Sequence, residues 1–309
     1  MIMVHNLVKR YGDLLALDHF CLEVKKGEIF GLLGPNGSGK TTAINCMLSL
    51  LKYSKGSVSL FGEPMTPEHY RNKRRIGVVM QNVAVFNELT VVENIDYFCG
   101  LYVPDKKRRR ALLDEAIEFT GLGEFRKFLP KKLSGGLLRR LNIACGIAHK
   151  PELIFLDEPT VAVDPQSRNH ILEGIRELNR GGATIVYTSH YMEEVEQLCS
   201  RIMIMDKGKS VAIGTKEDLK AMIRAGEKLT VEVYGLSGAA LDEIKAIDGL
   251  VQTEYDGHTL TARCASEIHR LGAVLDVLTR RQIAFGSVFS EPPTLNDVFL
   301  EITGKDLKD

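Results

Sequence analysis

The sequence lacks any apolar run approaching the roughly 18 residues that a membrane-spanning helix needs. Its first residues, MIMVHNLVKRYGD, also lack the apolar core of a secretory signal peptide. These absences predict a soluble, cytosolic protein. If such a protein serves membrane transport, it depends on a separate partner that spans the membrane.

Cysteine pairs and surplus charge are absent as well. The six cysteines include no CxxC pair and no cysteine–histidine spacing typical of a zinc site. Cys21, Cys46, Cys145 and Cys264 lie in apolar or alternating stretches, which predicts small buried thiols in a reducing cytosol. The formal net charge is zero. Since nucleic-acid-binding proteins usually carry a basic surplus, no nucleic-acid partner is expected.

What the sequence does contain is an alternation of short apolar runs and helical patterns. Its 309 residues, 44% of them hydrophobic, suffice for two domains. Strands separated by helices predict a parallel sheet with crossover connections. Strands are predicted at 29–33, 57–61, 75–80, 152–157, 183–188 and 202–206. Between about 87 and 150 the pattern indicates helices only.

A second, smaller domain is predicted after a boundary near residues 222–228. It has the pattern of an α+β module over 228–309, and the first domain then covers 1–222. No catalytic cluster is recognisable in this module. Its predicted elements are a strand at 228–235, a helix at 239–247, a hairpin containing Gly257, a helix at about 267–281, a strand near 285–289 and a closing helix capped by Thr294.

A glycine-rich loop joins the apolar run 29–33 to a helix that starts near Lys40. Its glycines let successive backbone N–H groups turn toward an anion, and the helix N-terminus favours the same negative charge. Lys40 is expected to reach the β- and γ-phosphates of a nucleotide, and the Thr41 hydroxyl to ligate Mg²⁺. The loop consists of Gly34, Pro35, Asn36, Gly37, Ser38, Gly39, Lys40, Thr41 and Thr42.

Two adjacent acids, Asp157 and Glu158, end the predicted strand at 152–157. In an open parallel sheet the carboxyl ends of the strands face the ligand crevice, which would put both side chains beside the glycine-rich loop. Asp157 is expected to hold Mg²⁺, and Glu158 to act as general base toward an attacking water. The alternative is that the two acids merely cap the turn that follows.

A second phosphate-binding segment is predicted at Ser134, Gly135 and Gly136, which stand immediately before the helical stretch LLRRLNIACGIAHK. This helix N-terminus carries a serine hydroxyl and free backbone N–H groups, both suited to a γ-phosphate. One subunit cannot bring this segment and the glycine-rich loop to one phosphate if the two lie apart on its surface.

The order of these motifs, LSGG at 133–136 followed by LDEP at 156–159, resembles the ATP-binding-cassette (ABC) ATPases. The resemblance covers about residues 1–220. It implies an α/β fold in which a P-loop ABC cassette, with a RecA-like parallel sheet and a helical subdomain at about 87–150, precedes the small α+β domain. It also implies ATP and Mg²⁺ as cofactors. The family forms head-to-tail dimers with two ATP molecules at the interface, so a second ATP-binding subunit is expected, either another copy of this chain or a paralogue of it.

Four single residues extend the resemblance. Tyr11 matches the aromatic residue that stacks on adenine, and Gln81 matches the glutamine that touches Mg²⁺ and the attacking water and links to the membrane partner. His190 matches the histidine that contacts the γ-phosphate, and Asp164 the aspartate that crosses the dimer interface. As alternatives, Tyr11 is an ordinary surface residue and His190 a hydrogen-bonded core residue.

The sequence departs from the family's pattern at two positions. Leu137 stands where many relatives have Gln or Met, and Ala162 takes a place that is often Gly. Neither change removes a phosphate ligand. Both are expected to alter packing at the dimer interface, so the turnover rate is more affected than the existence of the activity.

The segment 134–159, together with VDPQSR and TSHYMEEVE, is similar to the exporter branch of the family, which handles drugs, antibiotics, ions or lipids. The expected function is ATP hydrolysis that powers a separate integral membrane permease, with the chain held at the inner face of the membrane by that partner. The C-terminal domain is interpreted as a regulatory or dimer-stabilising appendage. The alternative is a soluble non-transport ABC ATPase, acting in iron–sulfur assembly or in translation or repair.

Overall fold

The structure is a computed structural model that describes residues 1–223, 225–265 and 268–304. Its contacts divide the chain into two compact units, Met1–Thr215 and Lys216–Asp309. The strands of the first unit are β1 (Ile2–Tyr11), β2 (Leu14–Val24), β3 (Ile29–Leu33), β4 (Lys55–Leu60), β5 (Glu63–Pro64), β6 (Ile76–Val79), β7 (Leu153–Asp157), β8 (Thr184–Ser189), β9 (Arg201–Asp206) and β10 (Lys209–Gly214). Its helices are α1 (Lys40–Met47), α2 (Tyr70–Lys73), α3 (Val91–Gly100), α4 (Lys106–Phe119), α5 (Gly135–Ile147), α6 (Pro165–Arg180) and α7 (Met192–Leu198).

A six-stranded sheet in the order β10-β9-β3-β8-β7-β6 forms the core of the first unit. Its neighbouring strands run parallel except for the edge pair β9 and β10. β3 and β7 are buried along their whole length, as expected for strands covered on both faces. The predicted parallel sheet is therefore confirmed.

The register of this sheet brings several strand ends to one edge. Leu33 at the end of β3 pairs with Ser189 at the end of β8, and Asp157 at the end of β7 pairs with Thr188. In a parallel sheet the segments that follow such strands converge outside that edge. The glycine-rich loop, the two acids and the segment containing His190 therefore meet in space although they are far apart in the sequence.

The sequence did not predict the second sheet of this unit. It is antiparallel, in the order β2-β1-β4-β5, so the strand predicted at 57–61 lies here and not in the parallel sheet. Phe20 and Leu60 from this sheet share one apolar cluster with Phe30 and Phe155 from the parallel sheet. Because both sheets cover the same core, alternation within a single strand does not reveal which sheet the strand joins.

The helices α3, α4 and α5 form a separate apolar cluster, which agrees with the prediction of helices only between about 87 and 150. Helix α5 also lies against strand β6. A Cβ atom at Gly77 would stand 2.6 Å from the Gly146 carbonyl oxygen, and one at Gly146 would stand 2.7 Å from a methyl group of Val79. Both positions need glycine for this close approach. Because α5 touches β6 here, it directly connects the helical cluster to the sheet.

The second unit contains a four-stranded antiparallel sheet in the order β12-β13-β11-β14. An apolar cluster covers one face of this sheet and includes Val231, Ile244, Leu260 and Val274. The elements of the unit are α8 (Lys216–Ala221), β11 (Ala225–Val233), α9 (Gly238–Lys245), β12 (Leu250–Tyr255), β13 (Thr259–Ala265), α10 (Leu271–Arg280), β14 (Phe285–Glu291) and α11 (Leu295–Thr303). Thr294 caps α11 as predicted, in a reciprocal capping box with Asp297.

The division between the units lies earlier than the boundary expected near 222–228, because α8 packs with α11 and so belongs to the second unit. Residue 224 of that expected boundary lies outside the described residues. So do residue 267, where the predicted helix begins, and residues 305–309 of the predicted domain.

One cysteine prediction is wrong. Cys21 is exposed, whereas the other five cysteines are buried. In β2 the side chains of Phe20 and Leu22 point into the core, and the twofold periodicity of a strand then turns Cys21 outward. Across the ranges that the structure describes, no helix combines the length and apolarity required to cross a bilayer.

Candidate functional site

Lys40 anchors the glycine-rich loop. Its side chain is only 5% exposed, and its ammonium group donates hydrogen bonds to the carbonyl oxygens of Gly34 at 2.7 Å and Pro35 at 3.1 Å. Burial lowers the pKa of this amine, and the nearby Glu158 carboxylate opposes that shift. Gly37 and Gly39 have φ angles of 81° and 105°, in the left-handed region that glycine adopts without strain. The sequence therefore folds locally into the turn expected of a phosphate loop.

Beside this loop lie the hydroxyl of Thr41 and the carboxylate of Asp157, in contact with each other. The Thr41 hydroxyl donates to Asp157 Oδ2 at 2.8 Å, and the Thr188 hydroxyl donates to Asp157 Oδ1 at 2.6 Å. A hydroxyl and a carboxylate in contact are ligands that suit Mg²⁺, which usually takes only one or two protein oxygens together with phosphates and water. Within residues 1–223, 225–265 and 268–304, no group of three or more His, Cys, Asp and Glu side chains is placed to hold a metal ion.

Glu158 stands at the centre of the site. Gln81 donates from Nε2 to Glu158 Oε2 at 3.1 Å, and His190 Nδ1 lies 3.4 Å from the same oxygen. Lys40 Nζ lies 3.4 Å from Glu158 Oε1. The backbone φ of Glu158 is 47°, a left-handed conformation that costs a non-glycine residue energy, and the bond from its N–H to the Thr188 hydroxyl at 2.9 Å helps to hold it.

These groups open into a pocket of about 570 Å³, a size suited to a small-molecule ligand. An open cleft along β2 and β10 is larger than this pocket, at about 730 Å³. Strand side chains such as His19, Glu23 and Lys209 line the cleft, and no glycine-rich loop does. We therefore identify the pocket beside the glycine-rich loop as the candidate nucleotide site from its lining residues and not from its volume. The predicted site residues that line it are Tyr11, Asn36, Gly37, Gly39, Lys40, Thr41, Thr42, Gln81 and Glu158.

Among the remaining predicted residues, Gly34, Pro35 and Ser38 belong to the glycine-rich loop, and Asp157 and His190 contact Thr41 and Glu158, which line the pocket. Ser134, Gly135, Gly136 and Asp164 form a second cluster that does not line it. Ser134 caps α5 by accepting a hydrogen bond from the Leu137 N–H at 3.3 Å. A Cβ atom at Gly136 would stand 3.0 Å from Asp164 Oδ2, so the two segments touch. Asp164 in turn caps α6 by accepting from the Ser167 N–H at 2.9 Å, and this bond lowers the pKa of its carboxyl group.

Both departures from the family pattern have a local explanation. Leu137 is partly buried and packs against the apolar cluster of the helical segment, where a polar side chain would gain nothing. Ala162 adopts a φ of 58°, which explains why glycine is common at this position. The loop before Asp164 therefore carries a small conformational strain in this chain.

Sequence reasoning missed two buried polar residues of the site. Glu194 is 3% exposed and accepts hydrogen bonds from Thr160 Oγ1 at 2.8 Å, Tyr187 Oη at 2.7 Å and Ser189 Oγ at 3.1 Å. It thereby joins the end of β8 to the loop after Glu158. The second is Arg139 on α5. In the sequence, each is indistinguishable from an exposed charged residue of a helix. What distinguishes the two residues is their burial, which the sequence does not show.

Comparison with known proteins identifies the family. The family described as "ABC transporter" matches residues 17–161. The chain is also 39% identical to the linearmycin resistance ATP-binding protein LnrL of Bacillus subtilis (strain 168), over the whole of both proteins. This chain belongs to the ABC transporter family. It is 36% identical to the daunorubicin resistance ATP-binding protein DrrA3 of Streptomyces coeruleorubidus, over 99% of this chain and 96% of that protein.

A further relative of this ABC chain is the Nod factor export ATP-binding protein I of Burkholderia orbicola (strain AU 1054), 36% identical over 98% of this chain and 97% of that protein. Among solved structures, the dimeric post-hydrolysis state of the ATP-binding cassette MJ0796, bound to ADP and Pi, matches with a TM-score of 0.64 and 28% identity. The match covers 70% of this chain and 98% of that one. As an ABC ATP-binding subunit, the chain uses ATP with Mg²⁺ and hydrolyses ATP.

Proposed function

We propose that this ABC subunit powers the export of drugs, antibiotics or similar small molecules, and that ATP closes it against a second copy of itself. The observation that carries the dimer is the separation of the two predicted clusters. Ser134 and Gly136 lie beside Asp164, but none of them lines the pocket of the glycine-rich loop. A second subunit, facing head to tail, supplies the missing phosphate contacts.

Within one subunit, Lys40 and the backbone of the loop at 34–42 bind the β- and γ-phosphates. Thr41, Asp157 and Gln81 would hold Mg²⁺, and the bound ion would neutralise negative charge on the phosphate oxygens. Glu158 takes a proton from the water that attacks the γ-phosphorus, since its carboxylate is held by Gln81 and lies next to His190. The bond from that phosphorus to the β–γ bridging oxygen breaks, and ADP and phosphate are released. Phosphoryl transfer relies mainly on positioning and electrostatic stabilisation, and these are what this cluster provides.

At the opposite cluster, Ser134, Gly135 and Gly136 bind the γ-phosphate held by the second subunit, through the serine hydroxyl and the N-terminal N–H groups of α5. The helix is 13 residues long, so its N-terminal partial charge is fully developed. Asp164 crosses to the second subunit from the adjoining turn. This assignment accounts for the proximity of the three segments to one another and for their absence from the chain's own pocket.

The export proposal rests on the relatives, which are named for linearmycin resistance, daunorubicin resistance and Nod factor export. A separate membrane permease would dock near Gln81 and hold the chain at the inner face of the cell membrane. Phe86 follows Gln81 closely in the chain and belongs to an exposed aromatic patch. Phe86 and Tyr97 are 41% and 47% exposed, and their ring centroids are 4.9 Å apart. Aromatic side chains of this kind are common anchors of protein interfaces.

Affinity capture of the tagged protein from detergent-solubilised membranes of its source cell tests the export proposal. We expect mass spectrometry to identify a multi-span membrane protein, and Tyr97→Asp to lose it. Tyr70→Asp is the matched control, because Tyr70 is 68% exposed on α2 outside the patch. If only ribosomal, repair or iron–sulfur assembly proteins are captured, the export proposal is wrong and the chain is a non-transport ABC ATPase.

The adenine contact gives a separate prediction. The chain contains no tryptophan, so Tyr11→Trp creates a single fluorescent reporter at the pocket. We expect its emission to change on addition of MgATP, because the indole stacks on the base. Tyr11→Ala should weaken ATP binding about tenfold, since base–aromatic stacking contributes about 1–3 kcal/mol. If Tyr70→Trp responds as strongly as Tyr11→Trp, the stacking assignment is wrong.

A further inference from the structure

Arg139 is a charged side chain in the interior of the protein, with only 3% of its surface exposed. Its Nε donates to the carbonyl oxygen of Pro159 at 2.8 Å, and its Nη2 donates to the carbonyl oxygen of Glu158. Its Nη1 donates to the carbonyl oxygens of Gln81 at 2.7 Å and Met80 at 3.2 Å. One guanidinium group thus holds the backbone of two different loops.

These two loops are the ones that carry the reacting groups. One follows β6 and bears Gln81, and the other follows β7 and bears Glu158. The side chains of the two residues meet at 3.1 Å. Arg139 joins their backbones, so the side-chain bond and the guanidinium bonds together close a ring that passes through Gln81, Glu158 and Arg139. The ring determines how Gln81 and Glu158 are placed relative to each other.

Arginine is suited to this position for two physical reasons. Its planar fork of five N–H donors bonds several acceptors at fixed angles, whereas a lysine ammonium acts as a single point of charge. Its acceptors here are backbone carbonyls, so the Glu158 carboxylate is left available to its own partners. Burial lowers the pKa of the Arg139 guanidinium, and the negative charges of Asp157 and Glu158 oppose that shift.

The neighbouring arginine shows what an ordinary buried contact on this helix looks like. Arg140 donates to the carbonyl oxygen of Thr120 at 3.3 Å, at the end of α4 in the helical cluster. Arg139 and Arg140 are the same residue type on the same helix, and Arg139 is buried whereas Arg140 is partly buried. Only Arg139 donates hydrogen bonds to the two loops of the site. Arg140 is a matched control for the chemistry of its neighbour.

We propose that Arg139 is a positioning residue that ties the hydrolysis of this subunit's own ATP to the position of helix α5. The inference rests on the proposed function, in which Ser134 at the start of α5 meets the ATP of the second subunit. Ser134 and Arg139 lie on one rigid helix, within two turns of each other. A shift of α5 at its phosphate-binding end therefore moves the guanidinium and, through it, the backbones at Gln81 and Glu158.

Steady-state ATPase kinetics on the full-length protein test this proposal, with MgATP as the varied substrate. For Arg139→Lys we expect kcat to fall about tenfold or more while KM stays within about threefold of the wild type, the pattern of a lost transition-state arrangement. Arg139→Gln should lower kcat further, because it also removes the charge. Arg140→Lys should leave kcat within about twofold of the wild type.

Two further measurements separate positioning from a general loss of structure. Arg139→Lys should unfold in one cooperative transition above the assay temperature, although at a lower temperature than Arg140→Lys because more buried hydrogen bonds are lost. The Tyr11→Trp fluorescence titration should give an unchanged Kd for MgATP. If Arg139→Gln does not fold, Arg139→Lys carries the test. An unchanged kcat in Arg139→Lys, or a raised KM with unchanged kcat, would overturn the proposal.

The controls distinguish this inference from the proposed function. Wild-type ATPase activity that disappears in Lys40→Ala supports the nucleotide site whatever happens at Arg139. A normal kcat in both Arg139 variants then overturns the positioning role alone. A wild-type protein with no ATPase activity overturns the proposed function and, with it, the role of Arg139.

Discussion

Glu158→Gln is expected to lower kcat for ATP hydrolysis by about 10²- to 10⁴-fold, the contribution of a well-placed general base. The amide has nearly the same shape as the carboxylate and keeps an oxygen for the bond from Gln81, so the site should remain assembled. ATP binding should survive because Lys40 and Thr41 are untouched. The variant should then accumulate with ATP as a dimer, seen on size-exclusion chromatography at twice the chain mass of 34.4 kDa.

Glu152→Gln is the matched control for this experiment. Glu152 precedes the same strand β7 at its other end, where it accepts two hydrogen bonds from Arg75 at 2.7 and 2.9 Å outside the pocket. Its amide variant should hydrolyse ATP at the wild-type rate. If Glu158→Gln retains wild-type turnover, Glu158 is not the base. If it binds ATP but stays monomeric, the dimer proposal loses its support.

Lys40→Ala is expected to abolish productive ATP binding and to reduce ATPase activity to background. The variant removes a buried ammonium group. In the wild type this group donates hydrogen bonds to the Gly34 and Pro35 carbonyls and lies 3.4 Å from the Glu158 carboxylate. The substitution leaves the phosphates without their charge partner and the loop without its internal donor. The two charged hydrogen bonds that we expect from Lys40 to the β- and γ-phosphates contribute about 1.5–3 kcal/mol each. Their loss corresponds to a fall in ATP affinity of about 100-fold or more.

Titration of MgATP in the Tyr11→Trp background measures this loss directly. Lys52→Ala, which removes one exposed positive charge, controls for net charge and should leave the Kd unchanged. Normal turnover in Lys40→Ala would contradict the assignment of the glycine-rich loop. An unfolded Lys40→Ala protein would show a structural role instead, and Lys40→Met, which keeps most of the side chain's volume, then tests binding in a folded protein.

The parallel sheet could be predicted because its strands carry the local signal that burial requires. The strands within the runs at 29–33, 152–157 and 183–188 are buried on both faces, and their largely apolar sequences reflect the need to pack on both sides of the sheet. The strand at 57–61 carries a weaker, one-sided pattern. The structure places it in the antiparallel sheet, since strand pairing depends on partners that are distant in the sequence.

The phosphate loop and the strand-end acids were also predictable, because their chemistry lies in consecutive residues. Arg139 and Glu194 were not, although each is almost fully buried. In the sequence, LLRRLN shows two adjacent arginines of equal appearance. Which of them turns inward depends on the rotation of α5, and that rotation is set by the close approach of Gly146 to β6.

By itself, the sequence determined the strand–loop–helix to which we assign phosphate binding, the order of the nucleotide motifs and the helical segment between them, since each depends on residues close together in the chain. Only the tertiary structure decided which side chains share a site. The register of β3, β7 and β8 brings Lys40, Asp157 and His190 to one edge, and the same folding keeps Ser134 out of that pocket. Such placements follow from strand register and helix rotation, which are global properties of the packed core.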